Sequence, residues 1–349
     1  MKHQLPPIEE LELLIQNPSI PWEMFAGARI LIYGGTGFVG TWLTTTFITA
    51  NSLLKLDLKV SVVTRDIKRA AEKFGPEHSK HINYIEHDFF RSKLRTDLRA
   101  DYIYHGATPT RIATGSNNYS EVSDAAVNAA IHASNCRGFS LPETRVIHLS
   151  SGAIYGPQDM NLSHRSETDP AGSNLDTYGK TKKNVDTLLR AAYDQGKIRL
   201  QSPRLFAFAG PLLQLNAHFA IGNFLLDGLL GNPIKVSGNP NTTRSYMYPS
   251  DLILSILLIG TIDKFLKINI GSDIPISMTS LSNLVQEKTG SPQIIFTNPD
   301  SQPSNYVPSI IQLRELIPNF KPIEIEESLD KWISWIKIND VLAKEGLAP

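Results

Sequence analysis

The chain has 349 residues, 41% hydrophobic and 19% charged, which is long enough for one large domain or two closely joined domains. Its 34 Lys and Arg residues balance its 34 Asp and Glu residues, and this net charge of zero argues against a broad electrostatic surface for nucleic acid or anionic lipid. Cys136 is the only cysteine, which excludes an intrachain disulfide and favours a reducing compartment.

The first residues predict a short helix ahead of the main fold. Apolar side chains recur there at helical spacing: Ile8, Leu11, Leu14 and Ile15. Acidic residues among them are unlike a secretion signal, and the longest strongly apolar run, 252–260, is too short to cross a bilayer. We therefore expect a helical extension over residues 1–27 of a cytoplasmic protein that has no membrane or nucleic-acid partner.

Strands and helices alternate from residue 28 onward. The predicted strands are 28–33, 58–64, 82–87, 100–107, 144–151 and 198–206. The predicted helices between them are 38–50, 66–74, 121–135 and 178–195. Such alternation is typical of parallel βαβ units, so we predict an α/β fold with a Rossmann-type doubly wound parallel sheet.

The pattern loosens in the last third of the chain. Residues 218–233 have a helical pattern, 239–252 form a polar loop that enters another helix, and 280–339 mix helices with proline-rich turns. We therefore predict a cofactor-binding domain over 28–210 and a smaller, interleaved α/β substrate domain over 211–349.

Glycines cluster directly after the first predicted strand. Gly34, Gly37 and Gly40 form G-x-x-G-x-x-G between that strand and a helix. In this context the glycines allow a tight turn, close approach of a pyrophosphate and close packing of helix on strand. The N–H groups that begin the helix, at Phe38, Val39 and Gly40, would then hold the phosphates. A glycine-rich turn without a ligand is the alternative, and the strand–turn–helix context favours a dinucleotide.

The end of the second predicted strand bears on the choice of cofactor. An acidic residue at this point binds the ribose hydroxyls of NAD, whereas an arginine accommodates the phosphate of NADP. Arg65 and Asp66 offer both in adjacent positions. Asp66 is equally suited to cap the next helix. These residues leave the choice between NAD and NADP open.

Tyr178 and Lys182 are four residues apart on a predicted helix, so they share one face. A nearby cation stabilises a phenolate, and we expect Lys182 to lower the pKa of Tyr178. Such a phenol can take a proton from an alcohol while hydride leaves the same carbon. Ser150 and Ser151 follow an apolar strand, at the sheet edge where α/β proteins bind ligands. A surface Tyr-Lys pair and ordinary loop serines are the alternatives, but the combination with the glycine turn favours an active site.

At this point the chain resembles the extended short-chain dehydrogenase/reductases, specifically the NAD-dependent epimerase/dehydratase family that acts on nucleotide sugars. The resemblance covers nearly the whole length after residue 28. It implies that the glycine turn binds the cofactor pyrophosphate and that Tyr178 and Lys182 are catalytic. The element "IYG", with Tyr155, resembles the family's "VYG", and its spacing implies that Ser151 is the catalytic serine.

Further motifs resemble the family less closely. "HDFF" implies that Asp88 and Phe89 meet the adenine, and "HGAT" places Ala107 beside the cofactor ribose. "RSYMYPSDL" implies that Arg244 contacts the substrate diphosphate, and Asn216 is expected to face the nucleotide sugar. The resemblance also implies a homodimer, in which each subunit contributes the predicted helices 121–135 and 178–195 to the interface.

The resemblance implies a shared first step, the oxidation of the sugar at C4, in which Tyr178 removes the proton and Ser151 holds the oxygen. Family dehydratases carry Asp-Glu directly after the catalytic serine or threonine, where this chain has Gly152 and Ala153. Decarboxylases usually keep a nearby glutamate, which is also missing. The expected activity is therefore epimerisation through a 4-keto intermediate. The alternatives are an NADPH-dependent 4-keto reductase, then a dehydratase or decarboxylase, and last a non-catalytic cofactor sensor.

Overall fold

The computed structural model describes residues 4–90, 98–107, 119–217 and 219–347. The first half of the chain alternates strands and helices, as predicted. Its strands are β1 Arg29–Tyr33, β2 Lys59–Thr64, β3 Asn83–Glu86, β4 Tyr102–His105, β5 Thr144–His148, β6 Ser150–Ser151 and β7 Ile198–Leu205. Its helices are α1 Ile8–Ile15, α2 Phe38–Leu54, α3 Ile67–Ser79, α4 Tyr119–Asn135 and α5 Thr177–Asp194. Short 3-10 turns lie at Trp22–Phe25 and Gly152–Tyr155.

The remaining elements are shorter. The helices are α6 Ala220–Leu229, α7 Pro249–Gly260, α8 Met278–Thr289, α9 Ile311–Leu316, α10 Ile325–Asn339 and α11 Val341–Lys344. The strands are β8 Ile234–Ser237, β9 Thr243–Arg244, β10 Lys267–Ile270, β11 Ile276–Ser277, β12 Ile294–Thr297 and β13 Asn305–Tyr306. Strands β8 to β13, apart from β10, form two small sheets, ordered β11-β9-β13 and β12-β8.

The central sheet is parallel and doubly wound. Within the described ranges its order is β10-β7-β5-β4-β1-β2-β3, with β6 also paired to β7. The order reverses between β1 and β4, and this is the point at which open α/β sheets bind ligands beyond the carboxyl ends of their strands. The predicted α/β fold class is confirmed.

Alternating side chains of the strands supply the two layers of the core. On β1, Ile30 and Ile32 pack with α1, α2 and α7, whereas Leu31 and Tyr33 pack with α4 and α5. Because both faces are covered, β1 (RILIY) and β4 (YIYH) at the centre of the sheet are nearly continuous runs of buried side chains. The predicted N-terminal helix is confirmed as α1, which buries Leu11 in the first layer. The division at residues 27 and 210 stays a prediction.

Several element boundaries differ from the prediction, and the helix predicted over 38–50 continues as α2 to Leu54. The helix predicted over 66–74 continues as α3 to Ser79, but with a kink at Gly75, whose φ of 70° is not helical and which precedes Pro76. The helical pattern of 218–233 corresponds to the shorter α6, and residue 218 and Thr108 of the "HGAT" motif lie outside the described residues. No helix in the described ranges is long and apolar enough to cross a membrane.

Candidate active site

The glycine turn lies where the strand order reverses. Gly34 has a φ of +77°, and a Cβ on it would lie 2.9 Å from Gly106 O and 3.3 Å from Ala107 N. A Cβ on Gly40 would lie 2.1 Å from Gly34 O, so α2 can approach the turn this closely only with glycine there. The structure therefore brings the predicted residues Gly34, Gly40 and Ala107 together at the switch point between β1 and β4.

The start of α2 is open to an anionic ligand. Gly37 is its N-cap and has no side chain to cap the helix, so the first N–H groups, at Phe38 and Val39, face the turn without that partner. The Phe38 ring packs toward Phe208, with centroids 6.0 Å apart, and anchors this end of the helix. A helix N-terminus with backbone donors and a compact glycine turn fits the pyrophosphate of a dinucleotide.

The charged residues after β2 have different environments. Asp66 caps α3, since its Oδ1 accepts the Arg69 N–H at 2.9 Å. Arg65 is exposed, and its guanidinium carbon lies 5.7 Å from the centroid of the Phe90 ring. The capping alternative for Asp66 is therefore observed, and Arg65 remains available to a ligand at this sheet edge.

The residues predicted to meet the adenine lie after β3. Asp88 Oδ1 accepts the Phe90 N–H at 3.0 Å, which forms a tight turn. Phe89 is buried against Tyr33, with ring centroids 5.4 Å apart, and its carbonyl accepts from Asn128 Nδ2 at 3.0 Å. The Phe89 side chain thus belongs to the core, and only Asp88 of the pair offers a partly exposed side chain. Adenine contact stays a prediction for both.

The predicted catalytic serine and tyrosine lie together. Ser151 ends β6, and its Oγ accepts the Ala153 N–H at 3.1 Å. Tyr178 lies in the first turn of α5, which Asp176 caps. The Ser151 hydroxyl is close enough to the Tyr178 phenol to lower its pKa. The chain thus places an acid–base group and a hydroxyl side by side at the carboxyl edge of the sheet.

The pKa of Tyr178 is set first by burial. Removal from water raises the pKa of Tyr178 to about 12, the Ser151 hydroxyl lowers it, and the Asp176 carboxylate raises it. Lys182 Nζ lies 5.6 Å from the centroid of the phenol ring. The expected lowering by Lys182 is therefore wrong as the dominant effect. Burial outweighs any lowering of this pKa by Lys182, and Ser151 is the side chain that lowers it most.

Lys182 is buried one turn along α5, with 3% of its surface exposed. Its Nζ donates to Leu149 O at 2.6 Å. Burial lowers the pKa of Lys182 to about 8, and the Asp186 carboxylate raises it. Asp186 in turn accepts the hydroxyls of Ser150, at 2.8 Å, and Ser202. Asp186, which the sequence reasoning missed, is thus the anion that supports the charge of Lys182.

Two histidines lie behind this lysine. His148 Nε2 is 3.6 Å from Asp186 Oδ1, and His148 Nδ1 is 3.0 Å from His105 Nδ1. Burial, followed by the charge of Lys182, lowers the pKa of His105 to about 3 and that of His148 well below its usual range. Both rings are therefore neutral near pH 7, and they pack beneath the site as neutral groups.

Tyr306 joins the site from the far end of the chain, and the sequence reasoning missed it. Burial raises the pKa of the Tyr306 phenol well above its usual range, and of the neighbouring groups Ser151 lowers that pKa and Tyr178 raises it. A Cβ on Gly152 would lie 2.7 Å from the Tyr306 Oη, which shows how closely the phenol covers the serine turn. A cavity of about 420 Å³ lies against Tyr306 and Ala153. No local motif marks Tyr306, because long-range contacts bring it here: the pairing of β13 with β9 and the bridge between Asn305 and Gln158.

The predicted substrate residues lie at different distances from this group. Arg244 in β9 is paired directly with Tyr306 in β13, and its charge lowers the pKa of that phenol. Its guanidinium donates to Ser304 O at 2.9 Å and to Ser304 Oγ at 3.1 Å. Asn216 is exposed in the turn between β7 and α6. Arg244 is therefore next to the site through Tyr306, and substrate contact stays a prediction for both residues.

Solved structures share this fold. The UDP-N-acetylglucosamine 4-epimerase of Methanobrevibacter ruminantium M1 superposes with a TM-score of 0.75 at 19% identity, covering 90% of this chain and 99% of that one. The UDP-glucuronic acid 4-epimerase of Bacillus cereus in complex with NAD gives a TM-score of 0.71 at 19% identity, covering 89% of this chain and 99% of that one.

Curated proteins are similar in sequence. UDP-glucuronic acid decarboxylase 1 of Xenopus tropicalis is 25% identical over 318 residues, which are 88% of this chain and 72% of that protein. UDP-glucuronic acid decarboxylase 5 of Arabidopsis thaliana is 25% identical over 86% of this chain and 87% of that protein. A model of the NAD dependent epimerase/dehydratase family matches residues 30–271. Because that match spans more than half of the chain, the protein belongs to the NAD-dependent epimerase/dehydratase family and is an NAD-dependent enzyme.

Proposed function

We propose that this protein is a nucleotide-sugar epimerase that acts through transient oxidation at C4 of the sugar. The observation that carries the proposal is the grouping of Ser151, Tyr178 and Lys182 at the carboxyl edge of the sheet whose strand β1 leads into the glycine turn. The homologues and neighbours named above act on UDP-sugars according to their names, which supports a nucleotide sugar as the substrate.

The chain's own residues supply the proton chemistry. In the proposed reaction the Tyr178 phenolate takes the proton of the C4 hydroxyl, and the Ser151 hydroxyl donates to the same oxygen. The positive charge of Lys182, 5.6 Å from the centroid of the phenol ring, adds a smaller stabilisation of the phenolate to that of Ser151, and burial outweighs both in the protein alone. The chemistry that bound NAD supplies is the reversible acceptance of hydride. The N–H groups at Phe38 and Val39 would hold the pyrophosphate of NAD. Asp88 would meet the adenine, Arg65 the ribose after β2, and Ala107 would lie beside the cofactor ribose.

The residues after Ser151 favour epimerisation over elimination or decarboxylation. Gly152 and Ala153 carry no group that can transfer a proton. The dehydratases and decarboxylases that the chain resembles would use a carboxylate at or near these positions to eliminate water or carbon dioxide. Return of hydride to the opposite face of a 4-keto sugar needs only the serine, the tyrosine and room for the sugar to turn over.

Two other activities have specific support. Because Asp66 is engaged in capping α3 while Arg65 is exposed, an NADPH-dependent 4-keto reductase is the second candidate. The curated relatives are named UDP-glucuronic acid decarboxylases, which supports a decarboxylase. The epimerase and the decarboxylase give products of different mass from the same nucleotide sugar, and a parallel incubation of a 4-keto sugar with NADPH separates the reductase from both.

The test is incubation of the purified protein with UDP-, dTDP-, GDP- and CDP-sugars, including UDP-glucuronic acid, with NAD and no reductant. We expect a stereoisomer of unchanged mass by mass spectrometry and proton NMR. A product lighter by carbon dioxide or by water would overturn the epimerase proposal, as would conversion of only a 4-keto sugar with NADPH. Tyr178→Phe should bind NAD and lose turnover, whereas Tyr193→Phe, farther along the same helix, should keep it.

A further inference from the structure

The cavity against Ala153 and Tyr306 has a single charged side chain in its wall. Its volume of about 420 Å³ is in the range of pockets that bind small ligands. The residues that line it are Ala153, Gly156 and Pro157 after β6, Asn174, Leu175 and Asp176 before α5, and Tyr306. Among these described residues only Asp176 is an acid or a base of the charged kind. A ligand in the cavity therefore meets a carboxylate, an amide and a phenol, but no cation.

The Asp176 carboxylate is held in place at the start of α5. Its Oδ1 accepts the Gly179 N–H at 2.7 Å. A Cβ on Gly179 would lie 3.2 Å from Asp176 Oδ1 and 2.6 Å from Ala153 O, so the carboxylate and the turn after β6 pack against the same glycine. Within the described residues nothing else donates to this carboxylate, and no cation forms an ion pair with it. The Asp176 Oδ2 is therefore left for a ligand.

The reacting groups of the proposed mechanism lie next to this cavity. Tyr178 is in the first turn of the helix that Asp176 caps. The Ser151 Oγ accepts the N–H of Ala153, which belongs to the cavity wall, at 3.1 Å. Burial raises the pKa of the Tyr178 and Tyr306 phenols, and the charge of Asp176 raises both further, in agreement with a short separation. A sugar whose hydroxyl reaches Ser151 and Tyr178 is therefore close to Asp176.

Three arginines in this part of the structure direct their donors elsewhere. Arg165 Nη2 donates to a backbone carbonyl and Arg204 Nη1 donates to the Tyr155 phenol, both at 2.6 Å. Arg244 donates to two backbone carbonyls, at 2.8 and 2.9 Å. None of the three lines the cavity. A second carboxylate in the cavity would thus face Asp176 with no arginine in the wall to offset the repulsion.

We propose that Asp176 determines which sugar the protein accepts, by favouring nucleotide sugars that carry a hydroxymethyl group at C5 over sugar acids that carry a carboxylate there. The C4 oxygen lies at Ser151 and Tyr178 in the proposed reaction, and C5 is the next carbon of the ring. A hydroxyl on its substituent can donate to Asp176 Oδ2 in a charge-assisted hydrogen bond. A carboxylate at the same position is repelled by the like charge. This inference rests on the proposed function, which places C4 at these residues.

The test compares ligands that differ only at C5, UDP-glucose with a hydroxymethyl group and UDP-glucuronic acid with a carboxylate. Their Kd values are measured by calorimetry on the NAD-loaded Tyr178→Phe protein, in which no turnover is expected, and the same pair is measured with dTDP and GDP as the nucleotide. We expect the sugar acid to bind about tenfold more weakly, a modest effect for two like charges at a partly exposed site.

Asp176→Asn, added to this background, keeps an acceptor for the Gly179 N–H and removes the charge. The ratio of the two Kd values should then fall about tenfold, to near unity. Asp194→Asn is the matched control, because Asp194 lies at the exposed far end of the same helix, and it should keep the original ratio. Equal Kd values before the substitution, or an unchanged ratio after it, would overturn the inference.

Salt gives a second measurement that depends on no substitution at Asp176. The Debye length falls from about 10 Å at 0.1 M salt to about 3 Å at 1 M, so high salt should bring the ratio of Kd values toward unity wherever Asp176 is present. A preference for UDP-glucose that is the same at both salt concentrations would refute the role of Asp176. This series decides the question if Asp176→Asn fails to bind NAD.

Binding is measured without turnover, so the two proposals fail separately. The expected preference in a protein whose wild type converts no nucleotide sugar would refute the proposed function alone. An active epimerase that binds the sugar acid as tightly as the neutral sugar would refute the role of Asp176 alone. Absence of binding by every pair would overturn both.

Discussion

Asp186→Asn should change the pH dependence of the reaction by acting on Lys182. Burial lowers the pKa of Lys182 to about 8, and the attraction of Asp186 keeps it from falling further. The carboxylate is held by the hydroxyl of Ser150 at 2.8 Å and by that of Ser202. Asparagine keeps the shape and one acceptor oxygen but removes the negative charge. The pKa of Lys182 should therefore fall.

The size and sign of the effect follow from the two pKa values. The proposed reaction needs Tyr178 ionised and Lys182 charged. Below the pKa of Lys182, at about 8, the fraction of protein in this state rises about tenfold per pH unit, because Tyr178, with a pKa of about 12, is losing its proton. Above about pH 8 the gain of phenolate offsets the loss of ammonium, so the fraction is constant. In the wild type, log(kcat/KM) should rise with unit slope and level off near pH 8.

Removal of a neighbouring opposite charge lowers the pKa of a cation by roughly 1–3 units. We take the lower end because Asp186 also accepts two hydroxyls and forms no close ion pair with Lys182. The break in Asp186→Asn should then lie about one pH unit lower. Since the level of the plateau depends on the difference between the two pKa values, kcat/KM should be nearly unchanged at about pH 6 and about tenfold lower at about pH 9.

The assay is the initial rate of conversion of the sugar found in the screen, measured across this pH range. Asp194→Asn is the matched control, because Asp194 lies at the exposed end of the same helix, where it pairs with Arg190 at 2.8 Å. Its profile should match that of the wild type. A break in Asp186→Asn that stays near pH 8, or a loss of equal size at every pH, would refute the reasoning and leave Asp186 a structural role only.

Two further predictions concern stability. Leu11 is 1% exposed in the core layer with α2 and α7, so Leu11→Ala should lower the free energy of unfolding by about 2–5 kcal/mol. Leu13 is 65% exposed, so Leu13→Ala should change the free energy of unfolding by less than about 0.5 kcal/mol. Equal effects of the two substitutions in urea denaturation would contradict the packing of α1. Burial raises the pKa of Asp251 to about 7, so the native state binds this proton more tightly than the unfolded chain and loses stability as the pH rises from about 4 to about 7. The Asp251 carboxylate accepts the Ile323 N–H at 2.7 Å, and Asp251→Asn keeps an acceptor for it. This variant should have a higher melting temperature than the wild type at about pH 8, and the difference should shrink toward about pH 4. A difference in melting temperature that does not change with pH would contradict the raised pKa of Asp251.

The sequence predicted those features of the molecule that are local in the chain. The parallel sheet, α1, the glycine turn and the serine–tyrosine–lysine group all follow from periodicity or from spacing within one βαβ unit. Asp66 illustrates the limit of local reasoning, because a carboxylate after a strand suits a ribose or a helix cap equally well, and only the 2.9 Å contact with the Arg69 N–H shows the cap.

Burial and long-range pairing account for what the sequence reasoning missed. The pKa of Tyr178 depends on how much water the folded site excludes, and the spacing of Tyr178 and Lys182 says nothing about that. Asp186 has the spacing of an ordinary helix-surface acid, yet it lies beneath Lys182 with Ser150 and Ser202. Such placements depend on the packing of α5 against β6 and β7, which no single segment encodes.

Gly152 bears on the proposed reaction through its neighbour Tyr306. A Cβ at position 152 would lie 2.7 Å from both the Tyr306 Oη and the Phe206 Cζ, so a carboxylate side chain there and the present position of Tyr306 exclude each other. The absence of an acid directly after Ser151 and the closeness of the Tyr306 phenol to this turn therefore go together. In the proposed reaction the site keeps Ser151 and Tyr178 for the sugar oxygen, and position 152 carries no second acid–base group of the kind that the proposal associates with elimination.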